Sequence, residues 1–357
     1  MHEAYIQQAF RMANSVAEKL LAAAVTAIAS IAVMTVGHTS AAAEPPPIVQ
    51  RLEHYAGALE KPIEEKIRLG DEAILEWQHQ INLKFGQDIR PRKASPNHPL
   101  VPLMRKVLAE LPPKIHALAS KYVVAVYLLE DDFGTGTTDA VLDAQGRWRY
   151  SYIALNLTVL ERTANDWSTW KENSTFTQDP DFQITMILED EPDDTVEGAL
   201  RFIFLHELGH SLGLSVEAHG FWDAEELPAS TRDSPYVGIS WVDGGEGKML
   251  SRWKERFPQL SELDFYSFKE APLSTADAVS VYGSLAVSDF PSLYGATNLF
   301  DDFAEAFAIY VHHQLLGKPY RVVIRHKQQI LFTYTSCIVS GLCPRKTAAL
   351  EALLYND

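Results

Sequence analysis

The sequence predicts an α+β protein, in which a small mixed sheet and one long helix follow a helical N-terminal region. A continuous β-branched and apolar run at 122–129 fits a central strand. Two further strand candidates follow it, and then a long apolar segment whose core, 199–205, contains neither glycine nor proline and is typical of a buried helix. Besides 122–129, the predicted strands are 148–157 and 182–188, and the helix covers about 195–212.

The region 44–115 is predicted to be helical and to precede a domain covering 116–357. Residues 48–59 are periodic, and Glu64–Phe85 carries apolar residues at helical spacing. A proline-rich connection leads to a helix at Leu103–Leu111, which Pro112 and Pro113 end. Whether this region is a pro-segment, a docking module or part of the fold is left open.

Two other segments of the domain are predicted from their glycines and prolines. Residues 131–146 contain three glycines and are expected to form a loop. This leaves Tyr150–Leu157 as a possible edge strand that an extended peptide could pair with. The long segment 216–293 is expected to be irregular, with a short helical piece at Lys248–Phe257, and either shapes a substrate cleft or forms a surface insertion.

The N-terminus has the layout of a secretory signal peptide, predicted to cover residues 1–43. An uncharged run from Leu20 to Val36 follows basic residues and precedes Ala41-x-Ala43, a typical cleavage signal. Met12 is an alternative start, and an uncleaved membrane anchor is the alternative to cleavage. The mature chain is then expected to be exported to the periplasm or the medium, without stable membrane insertion.

Cys337 and Cys343 are the two cysteines of the chain, and they flank a short loop that contains glycine. An even pair in an exported chain predicts a disulfide. The net charge of −16 argues against nucleic acid as a partner, because phosphate binding needs clustered Lys and Arg.

The predicted long helix carries the pentapeptide His206-Glu207-Leu208-Gly209-His210, an H-E-x-x-H motif. Side chains four residues apart on a helix project from one face, so His206 and His210 can share one tetrahedral zinc ion. Glu207 is then placed to take a proton from water bound to the metal. A pair of solvated surface histidines is the alternative, which the apolar surroundings disfavour.

A catalytic zinc site needs a third protein ligand. In the template H-E-x-x-H-x-x-G-x-x-H the third histidine would fall where this chain has Val216. His219 comes three residues late, and is either an unorthodox ligand or a loop histidine. A second template takes a carboxylate from a later helix. Asp301 and Glu305 lie four apart in an apolar stretch, after a plausible N-cap at Asn298 or Thr297, and either could be the ligand.

Tyr294-Gly-x-Thr-Asn followed by Asp302-Phe-Ala-Glu-Ala-Phe resembles the catalytic domain of anthrax lethal factor and its relatives, zinc metallopeptidases of the gluzincin group. The resemblance covers the motif helix and about twenty residues near 294–313. It implies a zincin-like domain in which His206 and His210 bind zinc and Glu207 is the general base.

By the same resemblance, Tyr294 matches a tyrosine that stabilises the transition state or assists the leaving group. The register of the family's ligand glutamate falls on Asp301, and the next family glutamate falls on Glu305. The chain departs from the family at Asp301, because aspartate is one methylene shorter and its helix must come about an ångström closer to the metal.

These observations predict an exported zinc metallopeptidase that acts on a peptide or protein. Two alternatives stay open: an inactive zincin-fold binding or scaffold protein, and a hydrolase acting on cell-wall peptides. The sequence leaves the substrate and the oligomeric state open.

Overall fold

The computed structural model describes residues 45–224, 227–245, 247–266 and 271–355. Residues Pro46–Asp357 form one compact unit, so the described part of the region 44–115 packs with the domain that follows it. The predicted signal peptide, 1–43, lies outside the described residues. Among the described helices, none combines the length and apolar character that a membrane crossing requires.

The strands confirm the α+β class and assemble into one larger sheet and three small ones. In chain order they are β1 Ile67–Arg68, β2 Arg92–Lys93, β3 Val123–Glu130, β4 Gly136–Leu142, β5 Trp148–Asn156, β6 Phe176–Thr177, β7 Phe182–Ile187, β8 Trp241–Asp243, β9 Met249–Ser251, β10 Leu273–Ser274, β11 Arg321–His326 and β12 Gln329–Thr335.

The larger sheet has the order β1-β3-β5-β4, with β2 pairing alongside β3. Strands β1, β3 and β5 are parallel, whereas β4 runs antiparallel to β5. The three strands predicted at 122–129, 148–157 and 182–188 are therefore confirmed as β3, β5 and β7. β7 joins β11 and β12 in a separate antiparallel sheet.

Two predictions about this sheet are wrong. The segment 131–146 contains strand β4, and this strand, not Tyr150–Leu157, forms the edge of the sheet. Its glycines indicated a loop, but Gly136 lies within the strand, where the absence of a side chain makes room for Glu207. A Cβ on Gly136 would lie 2.7 Å from the Glu207 carboxylate Oε1.

The helices and sheets pack around one main hydrophobic core, beside a second, smaller one. The helices are α1 Glu72–Lys84, α2 Leu100–Ala109, α3 Pro113–Tyr122, α4 Ala164–Asn173, α5 Val196–Ser215, α6 Ala229–Arg232, α7 Val237–Ser240, α8 Ala278–Ala286, α9 Leu299–Tyr310, α10 Cys337–Ser340 and α11 Pro344–Tyr355.

The N-terminal region is less helical than the periodicity predicts. Residues 48–65 form short 3-10 turns, and α1 begins only at Glu72, where Asp71 accepts a hydrogen bond from the Ile74 amide. Lys248–Phe257 is also not a helix, since β9 and turns occupy it. In both places local periodicity is overridden by packing against the sheet or by turns.

Helices α5 and α9 cross within the main core. Thr195 caps α5 by accepting from the Gly198 amide, and α5 is apolar on nearly every face because it is buried. At the crossing, a Cβ on Gly209 would lie 2.7 Å from the Ala304 Cα. Only glycine at 209 allows the two helices to approach this closely.

The predicted disulfide between Cys337 and Cys343 is present and follows β12.

Candidate metal centre and cleft

Three donor atoms converge where α5 and α9 cross. His206 Nε2 lies 3.1 Å from His210 Nε2, and Asp301 Oδ1 lies 3.5 Å from the first and 3.3 Å from the second. The two histidines come from successive turns of α5, and Asp301 comes from the first turn of α9. These three residues form a cluster that could hold a metal ion.

The size of this triangle fits a small divalent cation. Bonds of about 2.0–2.1 Å to a tetrahedral zinc ion place neighbouring donor atoms about 3.3–3.4 Å apart. The three distances of 3.1, 3.3 and 3.5 Å bracket this separation. Two imidazoles and one carboxylate are also a donor set that suits zinc.

Asp301 is oriented by the cap of its own helix. Asn298 Oδ1 accepts hydrogen bonds from the Phe300 and Asp301 amides, which fixes the start of α9. Asn298 Nδ2 donates to Asp301 Oδ2 at 2.5 Å, leaving Oδ1 to face the histidines. The predicted cap at Asn298 is confirmed, and the same side chain holds the candidate ligand.

Glu305, the other candidate ligand, lies behind the histidines instead. Its Oε1 is 3.0 Å from His206 Nδ1, so it accepts from the ring nitrogen that faces away from the donor triangle. The side chain is fully buried, and Lys171 Nζ donates to it at 2.9 Å. Glu305 is therefore placed to fix the tautomer and orientation of His206.

The charges of this cluster depend on one another. Burial alone would lower the pKa of His206, but hydrogen bonds to Asp301 and Glu305 outweigh it and raise the pKa to about 9. Burial alone would raise the pKa of Glu305, but Lys171 and His206 lower it to about 2. Without a metal, a proton on His206 balances the carboxylates, and a divalent cation would replace that proton.

Glu207 lies under the edge of the sheet. Thr138 Oγ1 lies 2.7 Å from its Oε2 and 2.9 Å from its backbone carbonyl, and can donate to either. Gly136 and Thr138 lie on the same face of β4, so this strand holds the carboxylate between itself and α5.

Tyr294 lies on a 3-10 turn before α9 and faces the cleft. Its ring centre is 5.5 Å from that of His206, and Lys171 Nζ lies 4.3 Å from the Tyr294 ring centre. Burial raises the pKa of Tyr294 well above its usual value, so the phenol stays protonated and can donate a hydrogen bond.

His219 does not join the metal cluster among the described residues. It is fully buried, and its Nδ1 donates to the Gly220 carbonyl at 2.8 Å. A Cβ on Gly213 would lie 2.0 Å from His219 Nε2. Burial lowers the pKa of His219 to about 3, so the ring is neutral. The possibility that His219 is an unorthodox ligand is therefore not supported by the geometry.

The donor triangle opens into a cleft of about 700 Å³. One wall is β4 with the preceding loop, and α1 contributes Trp77 and Ile81. The long segment 216–293 contributes Trp222 and residues 263–266. Part of this segment therefore lines the cleft, as the first of its two predicted roles requires.

Sequence reasoning missed Lys171, Thr138 and the role of Asn298 in holding Asp301. Lys171 is only 4% exposed and lies 134 residues before its partner Glu305. A lysine inside a helix gives no sign of such a contact, because only the fold brings the two together.

No protein-family model, no curated protein and no solved structure matches this chain.

Proposed function

We propose that the chain is an exported, zinc-dependent peptidase with a zincin-like, gluzincin-type site. His206, His210 and Asp301 would hold the ion, Glu207 would be the general base and Tyr294 would donate to the developing oxyanion. The observation that carries the proposal is the donor triangle with edges of 3.1, 3.3 and 3.5 Å. Glu207 is not one of the three donors, and its carboxylate lies beside them, against the edge strand β4.

The chemistry follows from what each side chain can do. The bound cation would polarise the scissile carbonyl and make a water molecule more acidic. Glu207, steadied by Thr138, would take the proton of that water and deliver it to the leaving amine. The Tyr294 phenol would donate to the carbonyl oxygen as it gains charge, an interaction typically worth ~10²–10³ in turnover.

The peptide itself would pair with β4, which has replaced Tyr150–Leu157 as the expected docking edge. An extended segment added to this edge forms backbone hydrogen bonds without any demand on its sequence. The reacting bond would then lie over Gly136 and Thr138, next to the Glu207 carboxylate.

Two measurements test the proposal. The metal content of purified residues 44–357 should be about one zinc per chain by elemental mass spectrometry, and iron in place of zinc would point to a different chemistry, since two histidines and one carboxylate also suit Fe(II). Glu207→Gln should keep the metal and lose peptide cleavage. A variant that still cleaves would contradict the assigned base, and a metal-free, folded wild-type protein would favour the inactive binding-protein alternative.

A further inference from the structure

Within the described ranges, the outer edge of β4 is unpaired over only a few residues. Asn156 N donates to the Thr135 carbonyl at 3.0 Å, and the register continues with Gly136 opposite Leu155. Bonded and non-bonded pairs alternate in an antiparallel ladder. The backbone groups of Gly136 and Thr138 therefore point away from β5, where a peptide could pair with them.

Past Thr138, this edge is already occupied. Arg51 forms an isolated parallel β-bridge with Leu142, so the chain itself takes the edge there. Between the two positions, the outward amide of Ala140 donates to the Asp139 carboxylate at 2.8 Å. A peptide strand that runs from Thr138 towards Leu142 would meet this segment.

The blocking segment, residues 49–51, is firmly held, and we call it the cap. Val49 is 1% exposed, and the Tyr55 hydroxyl donates to its carbonyl at 2.7 Å. Gln50 Nε2 donates to both Asp139 oxygens, at 3.2 and 3.0 Å. Trp77 Nε1 donates to the same carboxylate at 2.7 Å and joins α1 to the cap.

The length of β4 between the Glu207 carboxylate and the cap sets how many substrate residues can pair with the strand. Thr138, beside Glu207, and Leu142, under the cap, are four residues apart, or about 14 Å at about 3.4 Å per residue. A peptide that pairs antiparallel to β4, the slightly more stable arrangement, has its amino-terminal residues on the Leu142 side. About three residues fit before the cap.

We propose that the cap restricts this site to peptide bonds close to a free amino terminus, with about three residues preceding the bond that is cut. The substrate class is then an extended peptide with a short amino-terminal arm, and the cap excludes internal bonds of long chains. This inference rests on the proposed peptidase function.

Two mixed-sequence nonapeptide libraries test it, one with free amino termini and one whose amino termini carry an added Gly-Gly-Ser-Gly-Gly-Ser segment. With the full mature protein and its metal, mass spectrometry should place cuts after the first two to four residues of the free library. Cleavage of the added-segment library at the random positions should fall at least tenfold. A matching extension at the carboxyl end should change cleavage less than twofold.

Binding to Glu207→Gln provides a readout that does not need turnover: the free library should be retained at least tenfold better than head-to-tail cyclised peptides of the same composition, which have no amino terminus to place before the cap. The cap variant Gln50→Ala should raise cleavage of the extended library several-fold, whereas Gln80→Ala, at an exposed residue of α1 whose side-chain amide donates to Glu76, should not. Equal cleavage of both libraries at the same positions would overturn this inference and leave the peptidase standing. Neither binding nor cleavage of any peptide would overturn both.

Discussion

Substituting Gly209 by alanine should separate α5 from α9 and weaken the candidate metal site. The new Cβ would lie 2.7 Å from Ala304 Cα and 2.9 Å from its carbonyl oxygen, whereas ordinary contact begins near 3.4 Å. The obstacle is backbone, so no side chain can turn away. The helices must part by about 0.7 Å, several times the ~0.2 Å tolerance of a metal–ligand distance.

Two opposing effects set the stability change. Overpacking a core typically costs about 1–3 kcal/mol, while replacing glycine by alanine inside a helix gains about 1 kcal/mol. The metal-free variant should therefore lose up to about 2 kcal/mol of unfolding free energy, measured by chemical denaturation. Its zinc affinity, measured by competition with a chromophoric chelator, should fall at least tenfold.

Gly283→Ala is the matched control, because Gly283 lies in helix α8 and a Cβ there meets nothing within 4 Å. Its zinc affinity should equal that of the wild type. A second test adds Asp301→Glu to Gly209→Ala, since the extra methylene should span the gap and recover part of the lost affinity. If zinc affinity in Gly209→Ala stays within twofold of the wild type, the close crossing is not what brings Asp301 to the histidines.

Three further predictions concern polar side chains in or beside the core. Lys171→Met should lower the unfolding free energy by about 3–5 kcal/mol in chemical denaturation, because the buried Glu305 carboxylate loses its lysine partner. Adding Glu305→Gln removes the unpaired charge and should recover part of the loss. Asn298→Ala should lower the unfolding free energy by about 1 kcal/mol, because α9 loses its N-terminal capping side chain. It should also weaken zinc binding ~10–100-fold, measured by chelator competition, because Asp301 Oδ2 loses its hydrogen-bond donor. Burial lowers the pKa of His312 to about 4, so between about pH 6.5 and pH 4 this histidine is protonated in the unfolded chain but neutral in the folded one. The unfolding free energy of the metal-free protein should therefore fall by up to about 3 kcal/mol as the pH drops through this range. An unchanged dependence of the unfolding free energy on pH in His312→Gln would contradict this.

The sequence predicted the parts of the fold that depend on neighbouring residues. The buried strand at 123–130 and the motif helix at 196–215 follow from continuous apolar runs, and the spacing of His206 and His210 follows from helix geometry alone. The 3-10 turns at 48–65 were not predictable in this way, because their conformation depends on packing against β3 and β4.

The candidate site was predictable as far as the donors that motifs mark. The choice between Asp301 and Glu305 was not, because both lie on one face of α9 and only its depth against α5 separates them. At that depth Asp301 Oδ1 faces the triangle, and Glu305 meets the far side of the His206 ring. The assignment of Asp301 as the ligand stays a prediction.

The glycine at 209 also explains how a short carboxylate can serve at this position. An aspartate ligand needs its helix about one methylene closer to the metal than a glutamate does, and the missing side chain of Gly209 lets α5 come directly against the backbone of α9 at Ala304. Residue 209 lies within the motif and residue 304 lies one turn after Asp301, so the close approach occurs at the level of the donors. The single variant Asp301→Glu should therefore crowd the triangle and bind zinc less tightly than the wild type, although glutamate is the residue that the resemblance would place there. Tighter zinc binding by that variant in chelator competition would show that Asp301 is a departure the fold tolerates, and not one to which it is fitted.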